Sequence, residues 1–255
     1  MGQPDAARPR TLLFGLWFDA LTRQQVVQRC LDATKTREHL AIGVLNAAKL
    51  VRIRSDQQLR QSLLVCDLLL ADGISVLWAS RMLRRPLPER VTGIDLFADL
   101  LAAAARDGLG VYLLGAKPEV LQRLHGALSS RFPGLRVVGS HHGYFDESQG
   151  AAIAQAIRDS GADMLFLGMV SPKKEIFLGT WGAGLGVPVQ HGVGGSFDIF
   201  AGVTKRAPVL WQRLGMEWAY RLVQEPRRMW RRYLFTNLAF IRLLAQELVR
   251  PTPPP

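Results

Sequence analysis

Residues 163–202 read DMLFLGMVSPKKEIFLGTWGAGLGVPVQHGVGGSFDIFAG, and their reading decides the fold. Two short apolar runs, Met164–Leu167 and Val187–Val189, each end in glycine and polar residues. Runs of this length bounded by turn signals suit strands buried on both faces of a parallel sheet. Ligands of open α/β sheets bind at the carboxyl ends of such strands. After the first run come Gly168, Pro172, Lys173, Lys174 and Glu175; after the second come Gly192, Gly194, Gly195, Ser196 and Asp198. Glycines let backbone N–H groups approach a ligand, lysines supply cations, and a carboxylate can hold a ribose diol. These are the parts of a nucleotide-diphosphate pocket.

Outward from this stretch, β and α signals alternate for most of the chain. Thr11–Phe18 reads as an edge strand, and Thr22 as the cap of a helix over Gln24–Thr34. Leu40–Leu45 is an apolar strand ending at Asn46, followed by helical segments from Ala47 and from Ser55. Val65–Leu70 is a strand ending in Ala71-Asp72-Gly73. Thr92-Gly93-Ile94-Asp95 opens a helix, Val111–Leu114 is a strand before Gly115, and Arg136–Val138 one before His141-His142-Gly143-Tyr144. The alternation implies an α/β, Rossmann-like parallel sheet with helices on both faces, over residues 11–202. Residues 1–10 read as a disordered start and Pro251–Pro255 as a frayed tail.

Beyond Gly202 the character changes to helices with interleaved rings and cations: Trp211, Trp218, Tyr220, Arg221, Trp230, Arg231, Arg232 and Tyr233. Residues 203–250 read as a helical appendage, with a break at Pro226. From Val203 to Arg250 there are ten Lys/Arg against three Glu, so much of the net charge of +11 lies here. A localised surplus points to an anionic partner. Three readings stand: an interfacial membrane anchor, a nucleic-acid surface, and a helical pair with a solvated basic face. Ring and charge alternate at helical spacing, and no nucleic-acid module is recognisable, so the membrane leads.

The two cysteines, Cys30 and Cys66, lie far apart without a CxxC, which suits a reducing compartment. Residues 1–10 lack the apolar stretch of a signal peptide, and no run reaches the roughly 18 apolar residues of a membrane span. A cytoplasmic protein that does not cross the bilayer is expected.

Asp72 at a strand's end is the best candidate for a general base, since that position projects a carboxylate into the crevice; the bland alternative is an Asp-Gly turn. Asn46 ends another strand and is placed to orient a hydroxyl, or merely to cap a helix. Gly192-Val193-Gly194-Gly195-Ser196-Phe197 resembles a dinucleotide fingerprint whose last glycine is replaced by Phe197, which keeps an NAD-dependent oxidoreductase as an alternative. A non-catalytic binder of membranes or polyanions is a second. No DxD pair, Walker A loop or nucleophile elbow occurs. Without a bound metal, Lys173, Lys174, Arg206 and the C-terminal arginines are left to neutralise a diphosphate.

In order along the chain, Asn46, Ala71-Asp72-Gly73, Thr92-Gly93-Ile94-Asp95, Gly115, Gly143-Tyr144-Phe145, Pro172-Lys173-Lys174-Glu175, Gly192–Asp198, Lys205-Arg206-Ala207-Pro208, Glu217-Trp218 and Glu225-Pro226-Arg227-Arg228 resemble the WecG/TagA/CpsF glycosyltransferase family (glycosyltransferase family 26). The resemblance implies an inverting, metal-independent transferase without cofactors. It would move a hexosyl unit from a UDP-sugar to a polyprenyl-diphosphate-linked saccharide for bacterial cell-surface polysaccharide, at the inner face of the plasma membrane. It places the base on Asp72, substrate contacts on Asn46 and Arg90, and a nucleotide contact on Asp198. It expects diphosphate contacts among Arg221, Arg228 and Arg231. UDP is then expected across Gly115, Gly168 and Gly192–Asp198, with Tyr144, Lys174, Gly194 and Arg206 lining the site. Val44 and Lys174 depart from the commoner Thr and Gln, which sets a glucosyl donor beside N-acetylmannosamine as a serious alternative. A homo-oligomer is left open.

Overall fold

The computed structural model describes residues 9–253, apart from residue 225 and the side chains of 213, 221, 228, 229 and 232. The chain runs β1 (Arg10–Leu13), β2 (Leu16–Asp19), α1 (Arg23–Thr36), β3 (Leu40–Leu45), α2 (Ala47–Arg52), α3 (Gln57–Leu64), β4 (Leu68–Ala71) and α4 (Ile74–Met82). It continues α5 (Gly93–Asp107), β5 (Gly110–Gly115), α6 (Pro118–Arg131), β6 (Arg136–His141), α7 (Gly150–Asp159), β7 (Met164–Gly168), α8 (Lys173–Trp181) and β8 (Val189–Gly192). Four helices close it: α9 (Ser196–Phe200), α10 (Val209–Arg213), α11 (Glu217–Gln224) and α12 (Pro226–Val249).

Six strands form one sheet in the order β4-β3-β8-β7-β5-β6, every neighbouring pair parallel. The expected α/β architecture is therefore the one adopted. Strands β3, β4, β5 and β7 are apolar because both faces are covered, whereas β8 buries Gln190 and His191 and the edge strand β6 is only partly buried. Along β7, Met164 and Phe166 enter one core while Leu165 and Leu167 enter the other, as the two-residue period demands. Each fully buried side chain of this kind contributes about 1.5–3 kcal/mol.

On one face, α1, α5, α6 and α9 pack through Val26, Leu96, Phe97, Leu124 and Phe197. On the other lie α2, α3, α4 and α12 beside α7 and α8. The chain thus leaves β3 and β7 toward one face, and β8 and β5 toward the opposite one. Connections that diverge from adjacent strands open a crevice at the carboxyl ends, here over β3, β8, β7 and β5. Side-chain caps fix where several helices begin: Thr22, Asn46, Asp56 and Thr92 each accept from a backbone N–H in the first turn, worth ~1 kcal/mol apiece.

Four sequence expectations need correction. Thr11–Phe18 is not an edge strand of the main sheet but most of a two-stranded antiparallel hairpin, turning at Phe14 and Gly15, both at positive φ. Asp19 of this hairpin accepts from the Leu69 N–H at 2.9 Å and so covers part of the β4 edge. The strand expected from Val65 begins at Leu68, because Val65 and Cys66 still close α3 through bonds to Gln61 and Leu63 carbonyls. The tail expected to fray from Pro251 is held at Thr252, whose N–H and hydroxyl both donate to Glu247 at 3.0 and 2.5 Å. Glu247 is 2% exposed and also accepts from the Phe14 N–H at 3.2 Å, so it joins the hairpin turn to the last helix. Of the expected disordered start, residues 1–8 lie outside the described residues, whereas Arg10 already pairs with Asp19 across the hairpin.

The helices after Gly202 do form, and Pro226 stands at the first position of α12, where its missing N–H costs nothing. The C-terminal half of α12 belongs to the core: Phe240 and Leu243 join the hairpin and α2–α4, with Phe14 and Phe240 rings 5.6 Å apart.

Candidate active site

The crevice floor is an ion cluster. Lys49, in the first turn of α2, donates to the Val44 carbonyl at 2.7 Å and pairs with Glu175 Oε1 at 2.8 Å. Lys174 Nζ reaches the same Oε1 at 3.1 Å. Lys174 is 6% exposed and Glu175 5%. Burial, with Lys49 alongside, pushes the Lys174 ammonium down to about 8, although Glu175 and Asp72 pull it back. Burial alone would raise Glu175, but the two ammoniums hold it at about 2. One carboxylate thus serves two cations.

Asp72 follows β4 directly, its N–H bonded to the Leu45 carbonyl at 2.9 Å. Its Oδ1 accepts from the N–H of Gly93, the first residue of α5, at 3.3 Å. A carboxylate at a helix N-terminus lies at the favourable end of the helix dipole. The Gly93 carbonyl in turn faces His191 Nε2 at 3.2 Å. His191 is fully buried in β8, and burial lowers it to about 4, so the ring is neutral at pH 7 and Nε2–H donates to that carbonyl. Gly93 therefore joins β4's carboxyl end to that of β8. Asn46 packs against Gly73, and its Oδ1 caps α2 by accepting from the Lys49 N–H at 3.2 Å. The cap uses the amide oxygen and leaves the NH₂ half as the group able to meet a ligand. Asp72, Asn46, Lys174, Gly192 and Gly194 are brought to one crevice.

The glycines divide by what fills their missing side chain. At Gly168 a Cβ would stand 2.2 Å from the Phe197 ring, and at Gly115 one would stand 2.5 Å from the Gly168 backbone. These two let protein approach protein, closing β5, β7 and α9 together. Gly194 differs: at φ +56°, a Cβ there would have as its nearest neighbours Lys174 Nζ at 3.8 Å and the Met169 carbonyl at 3.9 Å. A Cβ at Gly195 would meet nothing within 4 Å. The open part of the glycine loop is thus Gly194–Gly195, beside the Lys174 ammonium. Asp198 stands on α9 just after Phe197, and its carbonyl accepts from Val203 and Thr204 as the chain turns toward the appendage.

Arg90 and Arg206 hold protein groups. Glu217, at the start of α11, pairs with Arg90 Nη1 at 3.1 Å and Arg206 Nε at 3.2 Å. Arg90 Nη2 donates to the Gln212 carbonyl at 3.1 Å, and Arg206 Nη1 meets Asp95 of α5 at 2.7 Å. The two arginines clamp α10 and α11 to the end of the sheet that carries Asp72. Lys173 is committed as well, to the Gly143 and Phe145 carbonyls at 3.0 and 2.8 Å and to the Phe145 ring. Tyr144, 65% exposed, extends from the loop that Lys173 secures. Arg231 is exposed on α12 over the Trp230 ring, while the side chains of Arg221 and Arg228 lie outside the described residues.

Four of the appendage rings pack on one another, Trp211 on Tyr220 and Trp218 on Tyr233. Outside them α12 carries a second apolar face. Trp230, Leu234, Leu238, Ile241 and Leu248 recur at three-, four- and seven-residue spacings, all exposed, with Arg231 and Arg242 beside them. Among the described residues, two-thirds of the exposed large apolar side chains lie after Gly202. No helix among those residues is long and apolar enough to cross a membrane, and no group of three His, Cys, Asp or Glu is placed to hold a metal ion.

The sequence does not single out Lys49 or His191 for the site, and it places Glu175 in the pocket stretch without a role. Glu175 sat within the quoted Pro-Lys-Lys-Glu motif, and Lys49 three residues after Asn46, but only the fold pairs positions 49 and 175. Residues 11–253 match the Glycosyl transferase WecG/TagA/CpsF family. The chain belongs to that family of glycosyltransferases of cell-surface polysaccharide synthesis.

Proposed function

We propose that the protein transfers a hexosyl unit from a UDP-sugar to a polyprenyl-diphosphate-linked saccharide, with inversion. The observation that carries this reading is the meeting of Asp72 with Lys174 and the Gly192–Gly194 loop in one crevice, through Gly93. An inverting displacement needs a base on the attacking side and positive charge on the leaving side. Asp72 takes the acceptor hydroxyl's proton as its oxygen bonds to the anomeric carbon. The bond from that carbon to the diphosphate breaks, and UDP leaves with the electron pair. The Asn46 amide orients the hydroxyl, and Asp198 meets the nucleoside end. Arg90 and Arg206 hold the appendage over the crevice, so that acceptor and donor are enclosed together.

In the same reading the outer face of α12 rests on an anionic membrane surface, its apolar side chains in the headgroup layer and Arg231 and Arg242 on lipid phosphates. This puts the chemistry at the inner face of the plasma membrane, where a polyprenyl carrier presents its diphosphate. A glucosyl or N-acetylmannosaminyl (or uronic acid) donor fits the proposal equally. Thermal-shift screening with UDP-glucose, UDP-N-acetylmannosamine, their uronic acids, UDP and NAD tests it, followed by transfer to a polyprenyl-diphosphate acceptor. Protection by UDP compounds with release of UDP on transfer is expected. Protection by NAD alone, or no transfer from any UDP-sugar, would overturn it.

A further inference from the structure

The cations around the crevice differ in what they already hold. Lys173 is committed to two carbonyls and a ring, and Lys49 to the Val44 carbonyl and Glu175. Arg90 and Arg206 share Glu217. Among the described residues, Lys174 has one carboxylate partner, Glu175, and that partner is shared with Lys49. Its stem runs along Gly192, where a methyl group would come within 2.9 Å of Lys174 Cδ, and its Nζ ends beside Gly194. An excess ammonium buried this way is costly to the fold, and an apolar side chain of the same length would fill the space without that cost.

The Gly194 N–H is already given to the Leu167 carbonyl at 3.1 Å; we propose that the Lys174 ammonium, with the backbone N–H of Gly195, receives the negative charge of the departing diphosphate. The proposal rests on the sugar-transfer reading above and assigns one residue to its leaving-group side. As the acceptor oxygen bonds to the anomeric carbon, the electron pair of the broken bond passes to the β-phosphate oxygen. Lys174 stabilises that oxygen by ion pairing while Asp72 keeps the acceptor's proton. The groups facing Lys174 are Lys49 from α2, Glu175 from its own helix, Asp72 from the end of β4 and His191 from β8. His191 is neutral at working pH, so the state of this cluster near pH 8 follows Lys174, which burial lowers to about 8.

The test begins with the wild-type chain. kcat/KM for the donor reports the free enzyme's titrations, so it should fall as pH rises through about 8. Lys174→Arg should remove this descending limb, because guanidinium keeps its charge. Lys174→Gln should lose ~10²–10³-fold in kcat near neutrality. A wild-type kcat/KM that stays level from about pH 7 to about pH 9.5, or near-normal turnover by Lys174→Gln, overturns the proposal. Loss confined to hexuronyl donors also overturns it, since the ammonium would then read a sugar carboxylate. UDP protection against thermal unfolding, weaker in Lys174→Gln, is read without turnover. A wild-type chain that binds UDP but transfers nothing contradicts the sugar-transfer reading and still yields this result for Lys174.

Discussion

Replacing Lys174 by methionine should make the free protein more stable while impairing it. The structure sets the size of the effect. Lys174 falls from 10.5 to about 8 in the folded chain, and a pKa lowered by one corresponds to ~1.4 kcal/mol. Near neutral pH the fold therefore bears about 3 kcal/mol for keeping this ammonium charged. Methionine keeps the stem that packs on Gly192 and leaves Glu175 paired with Lys49. Allowing for partial relaxation around the ammonium, Lys174→Met should raise Tm by about 3–10 °C for a chain of this size. The pH dependence is specific. Because the folded pKa lies below the unfolded one, the wild-type penalty is complete below about 8 and fades as pH rises toward 10.5. The gain from Lys174→Met should thus be largest near pH 7 and shrink near pH 10, read by thermal and urea unfolding without ligand. A variant less stable than wild type near pH 7, or a gain equally large near pH 10, would refute the reasoning.

Glu247→Ala removes the acceptor of three hydrogen bonds in a site 2% exposed; stability should fall by about 3 kcal/mol or more by urea denaturation. Glu217→Gln weakens the bridge between Arg90 and Arg206. Limited proteolysis should then cut faster after Gly202, and transfer should drop although UDP binding persists. Leu238→Glu with Ile241→Glu changes two exposed side chains on the outer face of α12. The pair should lower binding to anionic vesicles with little change in Tm, and unchanged vesicle binding would remove that face from membrane docking.

The alternation of apolar runs and capped helices made the parallel sheet legible from sequence, because strands buried on both faces leave a local signature. Thr22, Asn46 and Thr92 announced helices by the same local chemistry. Thr11–Phe18 misled because both strands of the hairpin are apolar where they meet the core, and Gly15 was the only turn signal. Around the crevice, Asp72 and the Gly192–Gly194 loop were legible as strand-end residues, and Lys174 as part of the segment that follows a strand. The Lys49–Glu175 pair and the Arg90–Glu217–Arg206 clamp were not, since each joins segments far apart in the chain that only the fold brings together. The glycines at 115 and 168 were read as openings for a ligand, whereas Gly168 and the Phe197 ring occupy those spaces. Sequence shows that a side chain is missing, not what stands in its place. The two-faced character of α12 was half visible: rings and arginines could be counted, but the face taken by the core could not.

Turnover by Asp72→Asn, measured beside its affinity for UDP, tests the central claim most directly. Asparagine keeps the size of the side chain and an oxygen to accept from the Gly93 N–H, but it cannot act as the carboxylate base. The account predicts transfer reduced ~10²–10⁴-fold with UDP binding retained; transfer at the wild-type rate would contradict it.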